Sequence, residues 1–350
     1  MRIDSILRVT AAVTTGVFAA GLFAGAALAK TDLLVYTSVE ADELKGFKKA
    51  IEADIPDINI KWVRDSTGIM TAKLLAEKGN PKAHIVWGIA ATSLVLLANE
   101  GYFQGYAPKG LDKLDKKMYD PKNNPPQWIG QRSYMAGVCY NTVEGKKHNL
   151  PVPKSWKDLT KPVYAGHVVM PNPNSSGTGF LDVSSWLQTF GEDGGWSFMD
   201  ALHKNIAWYT HSGSKPCKQS ASGEIPIGVS FMYRGVNSMN KGAPLVVVAP
   251  SEGLGWELES FGIVRGVSGD VLAAAKKMAD WSVTKKANVM YNVGYAVVAM
   301  PGVAKEVKGF PPEAVDLLIN NDFAWAAANR KAILKKWAGR YDTKSLPKKK

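Results

Sequence analysis

Short apolar segments of this chain run repeatedly into turns rich in serine, threonine and glycine, and each turn leads into a segment of helical periodicity. The first example is the apolar stretch 33–36, which is followed by the turn 37–40 and then by Leu44, Phe47 and Ile51 at helical spacing. The same order of apolar stretch and turn recurs at 60–63, 84–87 and 168–170. The turn that follows 84–87 is predicted to be 88–93. Alternation of strands with helices predicts an α/β fold in which most strands are parallel.

Residues 1–29 have the layout of a secretory signal peptide. Arg2 and Arg8 give a charged start, the stretch 9–28 is apolar, and small residues lead up to Ala29. A transmembrane anchor is the alternative, because the apolar stretch approaches the length that spans a bilayer. Its alanine, glycine and threonine content and the small residues at the cleavage position favour a signal peptide. We therefore predict cleavage near Ala29 and export of the remaining chain.

The length of the exported chain predicts two lobes. About 320 residues exceed what one compact core usually holds. A proline-rich segment at 151–156 looks like the start of a new structural unit. Strand patterns follow it at 227–230 and 245–249. We therefore expect the two lobes to interleave along the chain. The predicted division assigns residues 30–137 plus 245–305 to lobe 1 and residues 138–244 plus 306–350 to lobe 2.

The C-terminal stretch 322–340 predicts an amphipathic helix. Its narrow apolar face is mostly alanine with Ile333 and Trp337, and its polar face carries Arg330 and Arg340. This pattern favours a packed surface helix over a helix that lies on a membrane.

The formal charge of +12 raises the question of a nucleic-acid partner. Nucleic-acid binders usually concentrate lysine and arginine on one stripe or motif. Here these residues are scattered apart from small clusters such as 348–350, and no recognised nucleic-acid motif accompanies them. We therefore expect no nucleic-acid partner, and we expect the charge to give long-range attraction for a small anion.

Two cysteines, Cys139 and Cys217, form a candidate disulfide in an exported protein. Two separate buried thiols are the alternative, because a bridge requires a geometry that sequence spacing does not provide.

The turns at the strand ends suit an anion. In the turn 174–179, glycines let the backbone come close to a ligand and hydroxyls add donors, while a helix N-terminus offers free N–H groups and a positive dipole end. The turns 65–68 and 37–38 are weaker versions of the same arrangement. Each hydroxyl could instead simply cap a helix, but several such turns together favour an anion site built from neutral donors. The candidate residues are Ser38, Ser66, Thr67, Ser175, Ser176, Gly177 and Thr178.

Catalytic and metal sites find little support in the sequence. There is no phosphate-binding Gly-x-x-x-x-Gly-Lys-Ser/Thr loop and no Gly-x-Ser-x-Gly nucleophile elbow. The five histidines lack metal-ligand spacing. We therefore expect neither a cofactor nor a metal, and an exported hydrolase is the less favoured alternative. Trp87 and Tyr233 at strand ends could belong to the core or could line a pocket for an ammonium group.

Several of these segments resemble the substrate-binding proteins of bacterial ABC importers. The resemblance is to the two-lobed class that includes ferric-iron, thiamine and sugar-phosphate binders, and within it to the 2-aminoethylphosphonate-binding proteins. The segments that carry it are 62–69, 85–88, 170–173, 175–180, 209–214 with Cys217, and 321–325. One departure is Ala83-His84, where the family would have a small residue followed by aspartate. The iron binders use adjacent tyrosines, and this chain has Trp208-Tyr209 instead, so we do not expect iron.

The resemblance implies a type 2 periplasmic-binding-protein fold, in which each lobe is a mainly parallel sheet flanked by helices. Crossing strands would join the lobes, which close over a ligand in the cleft between them. It also implies a periplasmic monomer that captures 2-aminoethylphosphonate and delivers it to an ABC permease in the inner membrane. A sugar phosphate or another small phosphorylated anion is the alternative ligand.

By this resemblance the phosphonate would be held by the hydroxyl-rich turns, with Ser38, Thr67, Ser176, Gly177 and Thr178 as its main contacts. The opposite, amine end of the ligand would contact an acceptor or an aromatic wall. The candidates for that end are Glu40, Trp87, His211 and Tyr233.

Overall fold

The structure is a computed structural model, and it describes residues 30–347. The predicted signal peptide at 1–29 lies outside the described residues, so it stays a prediction. The lysines at 348–350 also lie outside them.

Within the described residues the chain alternates strands and helices from its start. The strands are β1 (Thr31–Thr37), β2 (Ile58–Arg64), β3 (Ile85–Ala90), β4 (Phe103–Gln104), β5 (Ile129–Asn141), β6 (Val168–Pro171), β7 (Ile206–Thr210), β8 (Ile227–Phe231), β9 (Leu245–Val248), β10 (Trp256–Val264) and β11 (Val297–Val298). The α-helices are α1 (Ala41–Asp54), α2 (Thr67–Ala76), α3 (Ala91–Asn99), α4 (Thr142–Lys147), α5 (Gly177–Phe190), α6 (Glu192–Asn205), α7 (Lys215–Ala221), α8 (Met232–Asn240), α9 (Gly269–Ser282), α10 (Lys285–Tyr291) and α11 (Phe323–Tyr341).

The predicted α/β alternation is confirmed, with one local correction. The apolar stretches predicted as strands at 33–36, 60–63 and 168–170 lie within β1, β2 and β6. The segment 88–93 was expected to be a turn, but β3 continues to Ala90 and α3 begins at the next residue. Every residue of β3 is buried, which explains why its apolar pattern extends past the expected turn.

The sheet has the order β2-β1-β3-β10-β5-β8-β6-β7. Strand β1 is parallel to β2 and β3, and β6 is parallel to β7 and β8. Between these two parallel groups, β10 and β5 run antiparallel to their neighbours. Residues 129–135 of β5 pair with β10, and residues 136–140 pair with β8. One continuous, fully buried strand therefore joins the two parallel groups.

Two separate hydrophobic cores lie on either side of this junction. The first packs β1, β2 and β3 against α1 and α9, and Trp87 lies at its centre. The second packs the later part of β5 with β6, β8, α5, α6 and α11. The molecule is therefore two-lobed, as expected. We call the lobe with the first core lobe 1 and the lobe with the second core lobe 2.

The predicted division of the chain between the lobes stays a proposal, and the cores differ from it in two segments. Residues 134–136, which the division placed in lobe 1, belong to the second core. Strand β9, which the division placed in lobe 1, pairs with residues 138–141 of β5. Val247, Ala249 and Leu254 contribute to the second core. We therefore propose that residues 245–254 belong to lobe 2.

Helix α11 packs its apolar face inward, as predicted. Ala326, Ile333 and Trp337 are buried in lobe 2. Arg330, which was expected on the polar face, is also buried, and its guanidinium lies 4.2 Å from the centre of the Phe180 ring. The reason is that α11 packs against both α3 and α5, which covers more of its surface than one apolar stripe. Within residues 30–347, no helix combines the length and the apolar character needed to cross a bilayer.

Cys139 and Cys217 form a disulfide bond, with their Cα atoms 5.4 Å apart. The bond joins β5 to α7, and both side chains are buried. It therefore fixes the position of α7 and of the loop before it, residues 211–214, against the sheet of lobe 2.

Candidate functional site

A cavity lies in the cleft where the carboxyl ends of the parallel strands of both lobes meet. This is where open α/β sheets bind ligands. The volume open to the centre of a water molecule is about 50 Å³. The lining residues are Ser38, Glu40, Arg64, Ser66, Thr67, Gly88, Ala90, Tyr134, Ser176, Gly177, Thr178, Ser212, Gly213, Phe231 and Glu259.

The N-terminus of α5 forms the lobe 2 side of this cavity. Ser176 caps the helix, because its Oγ accepts a hydrogen bond of 3.1 Å from the N–H of Gly179. The N–H groups of Gly177 and Thr178, at the first two helical positions, have no partner within the helix. These N–H groups and the positive end of the helix dipole make this turn chemically suited to an anion. A Cβ on Gly213 would lie 2.4 Å from Thr178 Oγ1, so the loop before α7 lies directly against this turn.

The N-terminus of α2 forms the lobe 1 side. The hydroxyl of Thr67 donates a hydrogen bond of 3.0 Å to Ser38 Oγ. Ser66 precedes the first residue of α2, but its side chain makes no capping hydrogen bond. Its hydroxyl is therefore available to a ligand, whereas the hydroxyl of Ser176 is partly engaged in capping.

The two helix N-termini touch each other across the cleft. The N–H of Gly68 donates a hydrogen bond of 3.0 Å to the carbonyl of Ser175 in the other lobe. A Cβ on Gly68 would lie 2.2 Å from the carbonyl oxygen of Asn174, and a Cβ on Gly177 would lie 2.6 Å from Thr67 Oγ1. Both positions therefore require glycine for the lobes to approach this closely.

Ser175 and His211 lie at the edge of the cleft rather than in the cavity. The hydroxyl of Ser175 donates a hydrogen bond of 2.8 Å to the backbone carbonyl of His211. The ring Nε2 of His211 lies 3.3 Å from Asp65 Oδ1 across the cleft. Both side chains line a separate surface depression beside Leu346. They were expected to contact the ligand, and the structure instead uses them in contacts within lobe 2 and between the lobes.

Glu40 lines the cavity, as expected for the amine end, but several cations surround it. Its carboxylate accepts a hydrogen bond of 2.6 Å from Arg234 Nη2 of lobe 2. Lys218 Nζ lies 3.5 Å away and Arg64 Nη2 lies 4.0 Å away. Arg234 also binds Asp42, and this hydrogen bond lowers the pKa of Asp42. These ion pairs join the lobes and leave Glu40 neutralised.

The two aromatic candidates for the amine end lie in the cores and not in the cavity. Trp87 is fully buried, and its Nε1 donates a hydrogen bond of 2.9 Å to Ser282 Oγ. Tyr233 is buried and stacked on Tyr295, with ring centroids 4.3 Å apart. Neither residue lines this cavity, so the structure does not support their assignment to its amine end. Their size and apolar character suit the densely packed interior, where burial of the ring is favourable.

The cavity contains residues that the sequence interpretation did not single out. Arg64, Ser212 and Gly213 fall within segments that carried the family resemblance, but no role was assigned to them. Tyr134 and Glu259 come from β5 and β10, whose patterns mark them only as buried strands. The remaining newly found lining residues are Gly88, Ala90 and Phe231.

Glu259 and two aromatic rings form one wall of the cavity. Glu259 accepts a hydrogen bond of 2.8 Å from Arg132 Nε. Tyr134 and Phe231 contact each other edge to face, with ring centroids 5.8 Å apart. Within residues 30–347, no three His, Cys, Asp or Glu side chains group closely enough to hold a metal ion.

Comparison with known proteins assigns the chain to a family. Residues 80–325 match the family of bacterial extracellular solute-binding proteins. The chain belongs to this family. An uncharacterized protein of Haemophilus influenzae is 32% identical to this solute-binding protein over 339 residues, which cover 94% of this chain and 96% of that one. A probable ABC transporter periplasmic-binding protein of Sinorhizobium fredii, y4fP, is 25% identical over 79% of this chain and 76% of its own length.

Solved structures show the same fold. The periplasmic binding protein AfuA from Actinobacillus pleuropneumoniae, solved with fructose-6-phosphate bound, is 28% identical, with a TM-score of 0.83 over 90% of this chain and 99% of AfuA. The apo ferric ion-binding protein A of Pasteurella haemolytica is 16% identical, with a TM-score of 0.70 over 91% of this chain and all of that chain. The second match shows the fold alone. This solute-binding protein therefore has the type 2 periplasmic-binding-protein fold.

Proposed function

We propose that this solute-binding protein is the periplasmic receptor of an ABC importer, and that it captures 2-aminoethylphosphonate in the cleft between its lobes. The observation that carries the proposal is the meeting of two helix N-termini, one from each lobe, around a cavity lined by hydroxyl groups. Such a site recognises a small oxyanion. The relative y4fP, whose name assigns it to an ABC transporter, supports the transport role.

The proposed contacts to the phosphonate are the hydroxyls and free N–H groups at the two helix ends. They are Ser38, Ser66, Thr67, Ser176, Gly177 and Thr178, with Ser212 and Gly213 added from the structure. Arg64 also lines the cavity, where its Nη2 lies 4.0 Å from the carboxylate of Glu40. A phosphonate would thus be held mainly by neutral donors, as the sequence predicts.

A hexose phosphate is the second candidate ligand, because AfuA was solved with fructose-6-phosphate bound. The choice between the two ligands rests on the sequence resemblance, which favours the phosphonate.

The test of the proposed function is calorimetry on protein that has been unfolded, stripped of ligand and refolded. We expect binding of 2-aminoethylphosphonate and weaker or no binding of inorganic phosphate, a hexose phosphate and ferric citrate. Tight binding of the hexose phosphate without binding of the phosphonate would contradict the proposal and would favour the second candidate. Release of phosphate from a model ester would instead indicate a hydrolase.

Replacement of Thr178 by valine tests the anion-binding turn. Thr178→Val keeps the side-chain shape but removes the hydroxyl, so we expect a loss of about 1–3 kcal/mol of binding free energy, roughly 5- to 150-fold in Kd. Thr160→Val is the matched control, because the hydroxyl of Thr160 binds the carbonyl of Lys157 away from the cavity. Equal affinity of the two variants for 2-aminoethylphosphonate would mean that Thr178 does not contact the ligand.

Replacement of Gly68 by alanine tests closure of the lobes. The new Cβ would collide with the backbone of Asn174, so Gly68→Ala cannot adopt the observed contact. We expect ligand affinity to fall by about tenfold or more, because only closed lobes let both helix ends contact the ligand. The ligand-free protein should stay folded, since alanine is accepted at Gly68, the second residue of α2.

Gly46→Ala is the control for this substitution, because a Cβ on Gly46 of α1 meets nothing within 4 Å. Its affinity should equal that of the wild type, as calorimetry would show. Unchanged affinity in Gly68→Ala would contradict closure through this contact.

A further inference from the structure

One carboxylate faces the cavity from β10 with its charge only partly balanced. Glu259 Oε2 accepts a hydrogen bond of 2.8 Å from Arg132 Nε. Glu259 Oε1 accepts a longer one, 3.3 Å, from the hydroxyl of Tyr295. Its side chain is 13% exposed, and Glu259 is one of the residues that line the cavity, so this exposed part is open to a ligand.

Arg132, the cation that binds Glu259, is shared with a second carboxylate. Its Nη1 and Nη2 donate hydrogen bonds of 2.7 and 3.0 Å to the two oxygens of Glu43. Among residues 30–347, Arg132 is the only cationic side chain with a nitrogen within 4.0 Å of a Glu259 carboxylate oxygen. When both carboxylates are ionised, two negative charges share one guanidinium, which leaves one negative charge beside the cavity without a cation of its own. A buried charge without a partner is costly, so this group would gain from a further cation.

The titration behaviour of Glu259 agrees with this imbalance. Burial raises the pKa of Glu259 to about 7, because the attraction of Arg132 offsets only part of the desolvation and Glu43 adds repulsion. A positive charge placed near the carboxylate would favour its ionised form.

Glu40 is the other carboxylate of the cavity, and its surroundings differ. Arg234, Lys218 and Arg64 all lie within 4.0 Å of its oxygens. An ammonium group at Glu40 would have to compete with these three cations. At Glu259 it would meet a carboxylate that shares its single guanidinium with Glu43.

Aromatic rings complete the surroundings that a cation requires. Tyr134 and Phe231 line the same cavity as Glu259. Faces of aromatic rings attract ammonium groups through their quadrupole, and a site that also excludes water strengthens this attraction.

The geometry points to Glu259 as the residue that recognises the ammonium group of the ligand, with Tyr134 and Phe231 as the walls of that subsite. This inference rests on the proposed function, because it assumes that a zwitterionic phosphonate occupies the cavity. Glu259 would then determine specificity for an amine-bearing phosphonate over an uncharged one of the same length.

The experiment compares 2-aminoethylphosphonate with propylphosphonate. The two ligands differ only at the end opposite the phosphonate, where propylphosphonate has a methyl group in place of the amine. We expect the wild type to bind the amine-bearing ligand more tightly by about tenfold or more. Glu259→Gln should reduce this ratio toward one, mainly by weakening the binding of 2-aminoethylphosphonate, with little effect on propylphosphonate.

Glu257→Gln is the matched control. Glu257 lies two residues away on β10, and burial also raises its pKa to about 7. Its carboxylate accepts a hydrogen bond of 2.6 Å from Thr92 Oγ1, and Glu257 does not line the cavity. Its affinity ratio for the two ligands should equal that of the wild type.

The outcomes separate the two proposals. An unchanged ratio in folded Glu259→Gln would overturn the role of Glu259 and leave the phosphonate receptor intact. A ratio near one in the wild type would overturn the ammonium subsite even if the variant failed to fold. Failure of the wild type to bind either phosphonate would contradict the proposed function itself.

Discussion

The structure depends on one strand that both lobes share. Strand β5 is 13 residues long and buried throughout, with its first part in the sheet of lobe 1 and its second part in the sheet of lobe 2. Because its hydrogen bonds fix both sheets, the carboxyl ends of two separate sets of parallel strands face one cleft. The helix N-termini that follow those strands therefore converge, and the anion site that we propose uses N–H groups, hydroxyls and helix dipoles from both lobes.

The charges around the cleft are distributed unequally. Next to the helix ends, the carboxylate of Glu40 lies within 4.0 Å of the cationic groups of Arg234, Lys218 and Arg64. On the wall formed by β10, Glu259 shares one guanidinium with Glu43. A ligand with a negative and a positive end would match this arrangement. Burial in the closed cleft strengthens both interactions, since the local dielectric is lower than that of water.

Much of the fold and the anion side of the site could be predicted from sequence, because they depend on local patterns. The stretch 174–179 combines a strand end, hydroxyls and glycines within a few residues, and the structure places Ser176, Gly177 and Thr178 in the cavity. The amine side that we propose could not be predicted in this way. Glu259 enters the cavity only because β10 pairs with β5 in the middle of the sheet, which is a long-range contact without a local pattern. Trp87 shows the same limit, because the sequence did not reveal that β3 continues to Ala90 and places Trp87 within the strand and not at its end.

The most direct test of this account is the orientation of 2-aminoethylphosphonate in a crystal structure of the complex. The account predicts that the phosphonate oxygens lie within hydrogen-bond distance of Thr67, Ser176 and Thr178, and that the ammonium nitrogen lies at Glu259. A ligand bound with its amine at the helix N-termini, or bound outside the cleft, would contradict it.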